Sequence, residues 1–210
     1  MAFLQNETTA DTLTVVPAAA NSARVSWYDS AGRETSFQGK QTFMATGTFT
    51  PVAAATDIVR ITGSATKTIR VLSMQITTTA TANGSAQLFL VKRRTPTLAG
   101  TFIAATLVPD DSSDAAATAT VGHYTANPTA PTVQSSGIIW TKQFAVPAAI
   151  PATWAGITGD AVVEMLPWNN NIIIYPLVLR GISQELLINF AGATLLAGQT
   201  HAYSVIWLEE

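Results

Sequence analysis

After residue 56 the sequence is a series of short apolar segments, rich in Val, Ile, Thr and aromatic residues, that alternate with Pro, Gly, Asn and Asp. Segments of this kind predict β-strands, and the residues between them predict turns. In residues 68–78 the alternation places Leu72, Met74 and Ile76 on one face of a strand. The predicted strands are 57–62, 68–78, 87–93, 118–124, 138–146, 161–165, 172–179, 185–190 and 202–208.

The number and spacing of these strands predict an all-β fold, an antiparallel β-sandwich that is jelly-roll-like. Strands do not alternate with helices, so a parallel-sheet enzyme fold is not expected. The pair Asn83-Gly84 predicts a tight hairpin turn after residues 68–78, with residues 87–93 as the returning strand. We expect helix content below about 15%.

Residues 1–50 have a different pattern, with polar runs, three consecutive alanines and only short apolar clusters. They predict an extended N-terminal arm with one or two short strands, at 23–28 and 36–44, followed by a β-sandwich body at 51–210. A chain that begins near Pro51 is therefore expected to fold.

Aromatic residues of the arm are expected to dock on the body or on a neighbouring molecule, because large apolar side chains are rarely left in water. The tryptophan between Pro151 and Gly156 is expected to be the most exposed of the five. The candidate interaction residues are Trp27, Tyr28, Phe37, Phe43, Phe49 and Trp154.

Charged residues make up 11% of the chain, against about 25% in an ordinary domain, and the formal net charge is -2. A surface with so little charge keeps a monomer in solution poorly and suits contact with other protein. We expect a homo-oligomeric subunit of an assembly, with closed symmetry such as a trimer.

The sequence does not show the basic face that a nucleic-acid-binding protein presents. It also has no run of about 18 apolar residues, so no transmembrane helix is predicted. The N-terminus lacks a signal-peptide pattern.

The densest polar cluster is the stretch PDDSSD at residues 109–114. Asp and Ser before an alanine run are typical of a helix cap or a turn, because their oxygens accept free N–H groups. We predict this structural role for Asp110, Asp111 and Asp114, with one or two helical turns over residues 110–117. A calcium loop needs more oxygen ligands and a glycine at its bend, so a low-affinity cation site is the alternative.

Other catalytic and metal-binding patterns are weak. There is no cysteine, and His123 and His201 do not have the spacing of a zinc site. The nucleophile elbow, the dinucleotide fingerprint and the P-loop are all missing. Spacing alone leaves a carboxylate pair for glycoside hydrolysis open, but we interpret the acids as strand-edge charges; they are Asp57, Asp160, Glu164 and Glu185. The sequence predicts a non-enzymatic protein with no cofactor and no metal site.

The remaining conspicuous side chains also favour structural roles. Lys92-Arg93-Arg94 ends a predicted strand and is interpreted as its solvated end or as a salt bridge to a neighbouring subunit. Tryptophans beside predicted strands usually lie in a core or an interface, which we expect of Trp140, Trp168 and Trp207.

A family resemblance comes from the later part of the chain. VPDDS at 108–112 leads through AAATATV at 115–121 to YTANPT at 124–129. LRG at 179–181 is followed by QELLIN at 184–189, GATL at 192–195 and the final WLEE. Over residues 57–210 the chain resembles small virion structural proteins of tailed bacteriophages; the resemblance does not cover the arm.

This resemblance implies a capsid decoration or cement protein that binds the major capsid protein or other virion proteins. It implies a place in the virion, in the phage head, after assembly in the host cytoplasm, and it transfers no catalytic residues. Two alternatives are a neck, tail or fibre-associated virion protein and a carbohydrate-binding β-sandwich module that uses exposed tryptophans. An enzyme is the third alternative.

Overall fold

The computed structural model describes residues 14–17, 23–26, 40–82, 84–129, 137–146, 161–166, 176–192 and 194–210. In these residues the chain forms β-strands and no helix, so none of the described elements is a helix that could cross a membrane. The strands are β1 Thr14–Pro17, β2 Ala23–Ser26, β3 Gln41–Phe49, β4 Asp57–Thr62, β5 Thr68–Thr79, β6 Gly84–Arg93, β7 Thr101–Ala104, β8 Leu107–Pro109, β9 Val121–Ala126, β10 Ile138–Val146, β11 Ala161–Leu166, β12 Leu177–Arg180, β13 Glu185–Asn189 and β14 Thr200–Glu209.

The chain divides into two compact units, Met1–Lys40 and Gln41–Glu210. In the first unit β1 and β2 pair antiparallel, with Val15 opposite Val25. The second unit contains two antiparallel sheets. Sheet 1 has the strand order β10-β6-β13-β4-β9-β7, and sheet 2 has the order β11-β5-β14-β3-β8, with β12 also paired to β5.

The two sheets of the second unit pack face to face, and the chain crosses between them repeatedly. Strands β3 and β5 belong to sheet 2, whereas β4 and β6 belong to sheet 1, and β13 of sheet 1 is followed by β14 of sheet 2. Such crossings bring strands that are distant in sequence side by side, as in a jelly-roll-like sandwich. The predicted fold class is confirmed.

One hydrophobic core fills the space between the sheets. Sheet 1 contributes Leu186 and Ile188, and sheet 2 contributes Met74 and Trp207, all fully buried. The Trp207 ring stacks on Phe43, with the ring centroids 5.7 Å apart. Burial of each large apolar side chain contributes about 1.5–3 kcal/mol, so this core is the main source of stability.

A β-bulge interrupts the alternation of β5. Consecutive residues of β14 lie opposite Val71 and Ser73, so Leu72 is an extra residue without a partner on β14. An extra residue moves the side chains that follow it to the other face of the strand. Val71 and Met74 therefore both contribute to the core and Leu72 does not, although the sequence predicts Leu72 on the face of Met74 and Ile76.

The body begins earlier than the sequence predicts. β3 pairs with β14 along its whole length and with β8 over residues 43–45. It places Phe43 and Phe49 in the core, where they are 0% and 6% exposed. The division between the two units therefore falls after Lys40 and not after residue 50. Glycine and the short apolar clusters of this segment favour a loose arm in the sequence, but a strand held between two others needs no apolar cluster of its own.

The predicted hairpin of residues 68–78 and 87–93 is wrong. β5 lies in sheet 2, whereas β6 lies in sheet 1 between β10 and β13. The turn before Gly84 therefore leads the chain from one sheet to the other. A Cβ atom at Gly84 would lie 2.5 Å from Leu196 Cδ2, so a larger residue here would require the end of the Leu196 side chain to shift. A turn signal predicts a change of direction, but it does not distinguish a hairpin from a crossing connection.

Candidate functional site

The acidic stretch PDDSSD forms a turn directly after β8. Asp111 Oδ1 accepts hydrogen bonds from the Ser113 backbone N–H at 2.9 Å and from the Ser113 hydroxyl at 2.7 Å. These two hydrogen bonds lower the pKa of Asp111, which is exposed. Local bonding of this kind competes with helix formation, and no helix follows over residues 110–117. The predicted turn is confirmed, and the predicted helical turns are wrong.

The same stretch is attached to the body by further hydrogen bonds. The Asp110 N–H donates to the Thr42 carbonyl at 2.8 Å, and the Gln41 side-chain amide donates to Asp114 Oδ1 at 3.4 Å. Among the described residues, no group of three or more His, Asp or Glu side chains could hold a metal ion. Asp110 and Asp114 therefore connect the turn to β3, whereas Asp111 accepts hydrogen bonds from Ser113 within the turn.

The two histidines belong to the packing between the sheets. His201 on β14 is fully buried, and its Nδ1 lies 2.8 Å from the Thr78 hydroxyl. His123 on β9 is half-buried, and its Nδ1 lies 3.4 Å from the Tyr203 hydroxyl. Burial lowers the pKa of both imidazoles, that of His201 to about 4. Both histidines are therefore neutral at pH 7.

A buried group of charged side chains lies on the face of sheet 1 that points away from sheet 2. Along β13, Glu185 and Asn189 alternate with Leu186 and Ile188, which belong to the core. Because successive side chains of a strand point to opposite faces, Glu185 and Asn189 lie on the outer face. Both are nevertheless buried, at 0% and 5% exposure.

Contacts within this group pair each charge with an opposite charge or a hydrogen-bond donor. Arg93 on β6 forms a two-pronged ion pair with Asp57 on β4. Thr97, in the loop after β6, donates its backbone N–H to Glu185 at 2.8 Å and its hydroxyl to the same oxygen. Asn189 donates to Asp57. We call Asp57, Arg93, Thr97, Glu185 and Asn189 the ionic cluster.

The ionic cluster corrects three interpretations made from the sequence. Asp57 and Glu185 are not strand-edge charges, and Arg93 is not a solvated strand end; all three are at most 1% exposed. Burial raises the pKa of Glu185, although its hydrogen bonds to Thr97 and the nearby arginines act in the opposite direction. A buried charge persists only when it is paired and hydrogen-bonded, so these residues stabilise one another across three strands.

Arg60 on β4 links the ionic cluster to the edge of sheet 1. One guanidinium nitrogen donates to the Tyr124 hydroxyl at 2.6 Å and lies 3.9 Å from Glu185 Oε2. The guanidinium carbon lies 4.1 Å above the centroid of the Phe102 ring on β7. Burial raises the pKa of Tyr124 to about 12, despite the opposing charge of Arg60. The cation–π contact joins β4 to β7, and the hydrogen bond joins β4 to β9.

The end of β14 carries a carboxylate with several donors. Glu209 accepts hydrogen bonds from the Thr118 N–H at 2.9 Å, the Thr118 hydroxyl at 2.7 Å, the Ala119 N–H at 3.0 Å and the Trp207 indole at 3.1 Å. Lys67 Nζ lies 3.6 Å away. Burial raises the pKa of Glu209, but the donors outweigh burial and keep the pKa below its usual value. Glu209 therefore attaches the segment before β9 to the last strand.

One side of the sandwich is formed by residues 101–109, which we call the neutral strip. They form β7, two linking residues and β8, which are the edges of sheet 1 and sheet 2 respectively. No charged residue occurs in residues 95–109, and Ile103 and Val108 are 45% and 50% exposed. Edge strands usually carry charges or a cover that prevent pairing with other chains. The neutral strip is therefore the candidate interaction surface.

Neighbouring residues extend this uncharged surface. Among the described residues, no strand pairs with residues 46–48 of β3 on the side away from β14. Thr46 and Thr48 are exposed there. Leu98, in the loop before β7, is 64% exposed. Three of the six exposed large hydrophobic residues in the described part of the chain thus fall between residues 98 and 108.

The structure places two of the six predicted interaction residues. Phe43 and Phe49 lie in the core of their own body, so they do not offer a surface to a neighbour. The other four, Trp27, Tyr28, Phe37 and Trp154, lie outside the described residues. The predicted set does not include the neutral strip, although the long uncharged run from residue 95 to residue 109 is visible in the sequence.

Comparisons with protein-family models, with curated proteins and with solved structures give no match to this chain. The resemblance to virion proteins therefore stays a prediction from sequence motifs. The physical features of the body that bear on function are its charge distribution and its strand edges.

Proposed function

We propose that the protein is a non-enzymatic structural subunit of a bacteriophage virion, a decoration or cement protein of the head. It binds the major capsid protein or other virion proteins, forms a homotrimer and is assembled in the host cytoplasm. The sequence motifs, the low charge of the chain and the β-sandwich body support this proposal.

The neutral strip is the structural feature that most strongly supports this proposal. An uncharged, partly apolar strand edge is a site of uncontrolled pairing for a monomer, whereas in a regular assembly a neighbour covers it. Several charged groups are also used inside the fold, among them Asp57, Arg93, Glu185 and Glu209. Their burial leaves the outer surface with still less charge than the composition indicates. A surface of this kind suits contact with protein over most of its area.

A pair of lysine substitutions on the neutral strip tests the proposal. Ile103→Lys with Val108→Lys places two charges at exposed edge positions, which an isolated strand edge tolerates well. We expect an unchanged circular dichroism spectrum, loss of the trimer in light scattering and at least about tenfold weaker co-sedimentation with purified heads, because a contact would bury both charges.

Ile182→Lys is the matched control. Ile182 is 69% exposed in the turn before β13 and lies outside the neutral strip, so its substitution should change neither the oligomeric state nor binding to heads. If the double variant binds heads and forms trimers like the original chain, the neutral strip is not the contact. If the unmodified chain neither oligomerises nor binds virion proteins, the virion proposal fails.

An open pocket favours a second candidate, a carbohydrate-binding module. The pocket has a volume of about 200 Å³ and contains the uncharged side chains of Gln87, Gln143 and Gln199 beside Leu195 and Leu196. Amide groups next to an apolar wall suit a neutral sugar ring, which presents hydroxyl groups on its rim and C–H groups on its faces. Screening on a glycan array distinguishes the two functions: saturable binding to a defined glycan favours the module, and the head subunit requires none.

A further inference from the structure

Two histidines lie on either side of one phenylalanine where the sheets of the body meet. The ring centroid of Phe49, the last residue of β3, is 4.6 Å from that of His123 on sheet 1 and 5.4 Å from that of His201 on sheet 2. Phe190, directly after β13, lies 5.1 Å from His201. Tyr203 packs against both Phe49 and His123. We call these five residues the histidine cluster.

The histidine cluster lies at one end of the sandwich and joins its two layers. Thr78, His201 and Phe49 are side by side in the register of β5, β14 and β3, near the end of β5 and of β3 and the start of β14. His123 and Phe190 reach the same place from sheet 1. Separation of the sheets at this end would break these ring contacts first.

The surroundings of His201 favour a neutral imidazole, because burial lowers its pKa more than a hydrogen bond to the Thr77 backbone raises it. Its Nδ1 lies next to the Thr78 hydroxyl, whereas its Nε2 is buried and has no hydrogen-bond partner among the described residues. A protonated imidazole carries an N–H on both nitrogens, so the second donor would stay unsatisfied beside the Phe49 and Phe190 rings. Burying a charge without a partner is strongly unfavourable.

No charged group described here compensates either imidazole. Opposite His123, β4 and β7 present Val59 and Ile103. Burial raises the pKa of Tyr203 to about 12, so Tyr203 stays neutral in acid. The charged residues of the surrounding strands form their hydrogen bonds and ion pairs with residues outside the cluster; they are Asp57, Arg60, Arg70, Glu185 and Glu209.

We propose that the histidine cluster is an acid-responsive contact between the two sheets: it holds one end of the sandwich closed while both imidazoles are neutral and opens that end when they are protonated. The opening is local and precedes unfolding of the body. It is a property of the fold and does not depend on the virion proposal.

Linkage gives the direction and the size of the effect. The imidazole of His201 binds a proton with an ordinary pKa of 6.5 when exposed and a pKa of about 4 when buried. The closed form is therefore favoured at neutral pH, and its advantage is lost progressively as the pH falls from 6.5 towards 4. For one such group, the equilibrium constant for opening rises about 20-fold between pH 7 and pH 5. His123 acts in the same direction.

Hydrogen exchange read by mass spectrometry, corrected for the intrinsic pH dependence of exchange, measures this opening at pH 7 and pH 5. We expect about 20-fold faster exchange at pH 5 at the end of β3 and the start of β14, and unchanged exchange in β4 and β13. In His201→Asn, whose neutral amide can keep the bond to Thr78, we expect most of this acceleration to disappear. Asp111→Asn, at an exposed carboxylate, should behave like the original chain.

A titration of the histidine ring signals by NMR makes the test independent of whether the variant folds. The proposal requires that His201 in the folded chain titrates well below its ordinary pKa and that exchange at this end accelerates over the same pH range. An ordinary pKa for His201, equal acceleration in His201→Asn, or uniform acceleration over all strands would each overturn it.

Discussion

Removal of residues 1–40 should leave the body folded, whereas removal of residues 1–50 should unfold it. A chain that begins at Gln41 keeps β3, whereas a chain that begins at Pro51 loses a strand that lies between β14 and β8. The loss takes Phe43 and Phe49 out of the core, and burial of such a side chain contributes about 1.5–3 kcal/mol. The two together contribute about 3–6 kcal/mol, and the pairing along one side of β14 is lost as well. Because a domain is typically stable by only about 5–15 kcal/mol, we expect the shorter chain to be unfolded.

Near-ultraviolet circular dichroism and calorimetry provide the assay. The chain from Gln41 should keep the aromatic signal of Trp207 and melt cooperatively, and the chain from Pro51 should show neither property. Phe43→Ala, at a buried position, should cost about 3–5 kcal/mol in urea unfolding, whereas Met44→Ala, on the other face of β3, should cost much less. Cooperative melting of the chain from Pro51 near the temperature of the full chain would show that β3 is dispensable.

Three further substitutions test the polar contacts. Arg93→Met leaves the buried Asp57 carboxylate without its ion-pair partner and should lower the unfolding free energy by about 3–5 kcal/mol in urea titrations. Glu209→Gln should lower stability by about 1–3 kcal/mol at neutral pH. Folding lowers the pKa of Glu209 below 4.5, so this contribution is present above pH 4.5 and is lost as the pH falls through the folded-state pKa. The melting temperatures of the variant and of the original chain should therefore become equal in acid. Asp111→Ala should change the melting temperature only slightly, and addition of calcium or EDTA should leave it unchanged; a shift of many degrees on chelation would reveal a metal site.

Much of the strand pattern could be predicted from the sequence because period-two alternation reflects burial directly. In β14, His201, Tyr203, Val205 and Trp207 alternate with less buried residues, as the sequence pattern requires of a strand on a sandwich. The bulge at Leu72 could not be predicted, because an extra residue is specified by the partner strand. The partners of each strand could not be predicted either, because β5 and β6 pair with strands that are far away in sequence.

Only part of the candidate site could be predicted from the sequence. The local turn at Asp111 follows from the side-chain chemistry of Asp and Ser, which acts over two residues. The pairing of Arg93 with Asp57 joins strands that are not consecutive, so each residue alone resembles a solvated charge. The neutral strip is visible as an uncharged run, but only the strand order shows that β7 and β8 are both edges.

The proposed place of this chain in the phage head can be tested by its copy number in purified phage particles, determined by quantitative mass spectrometry against a labelled standard. A head decoration protein repeats with the capsid lattice, so we expect many copies per particle, on the order of hundreds. About a dozen copies or fewer would contradict the placement in the head and favour the neck or tail. Absence of the chain from particles, with the chain present in the infected cell, would contradict the claim that it is a virion subunit.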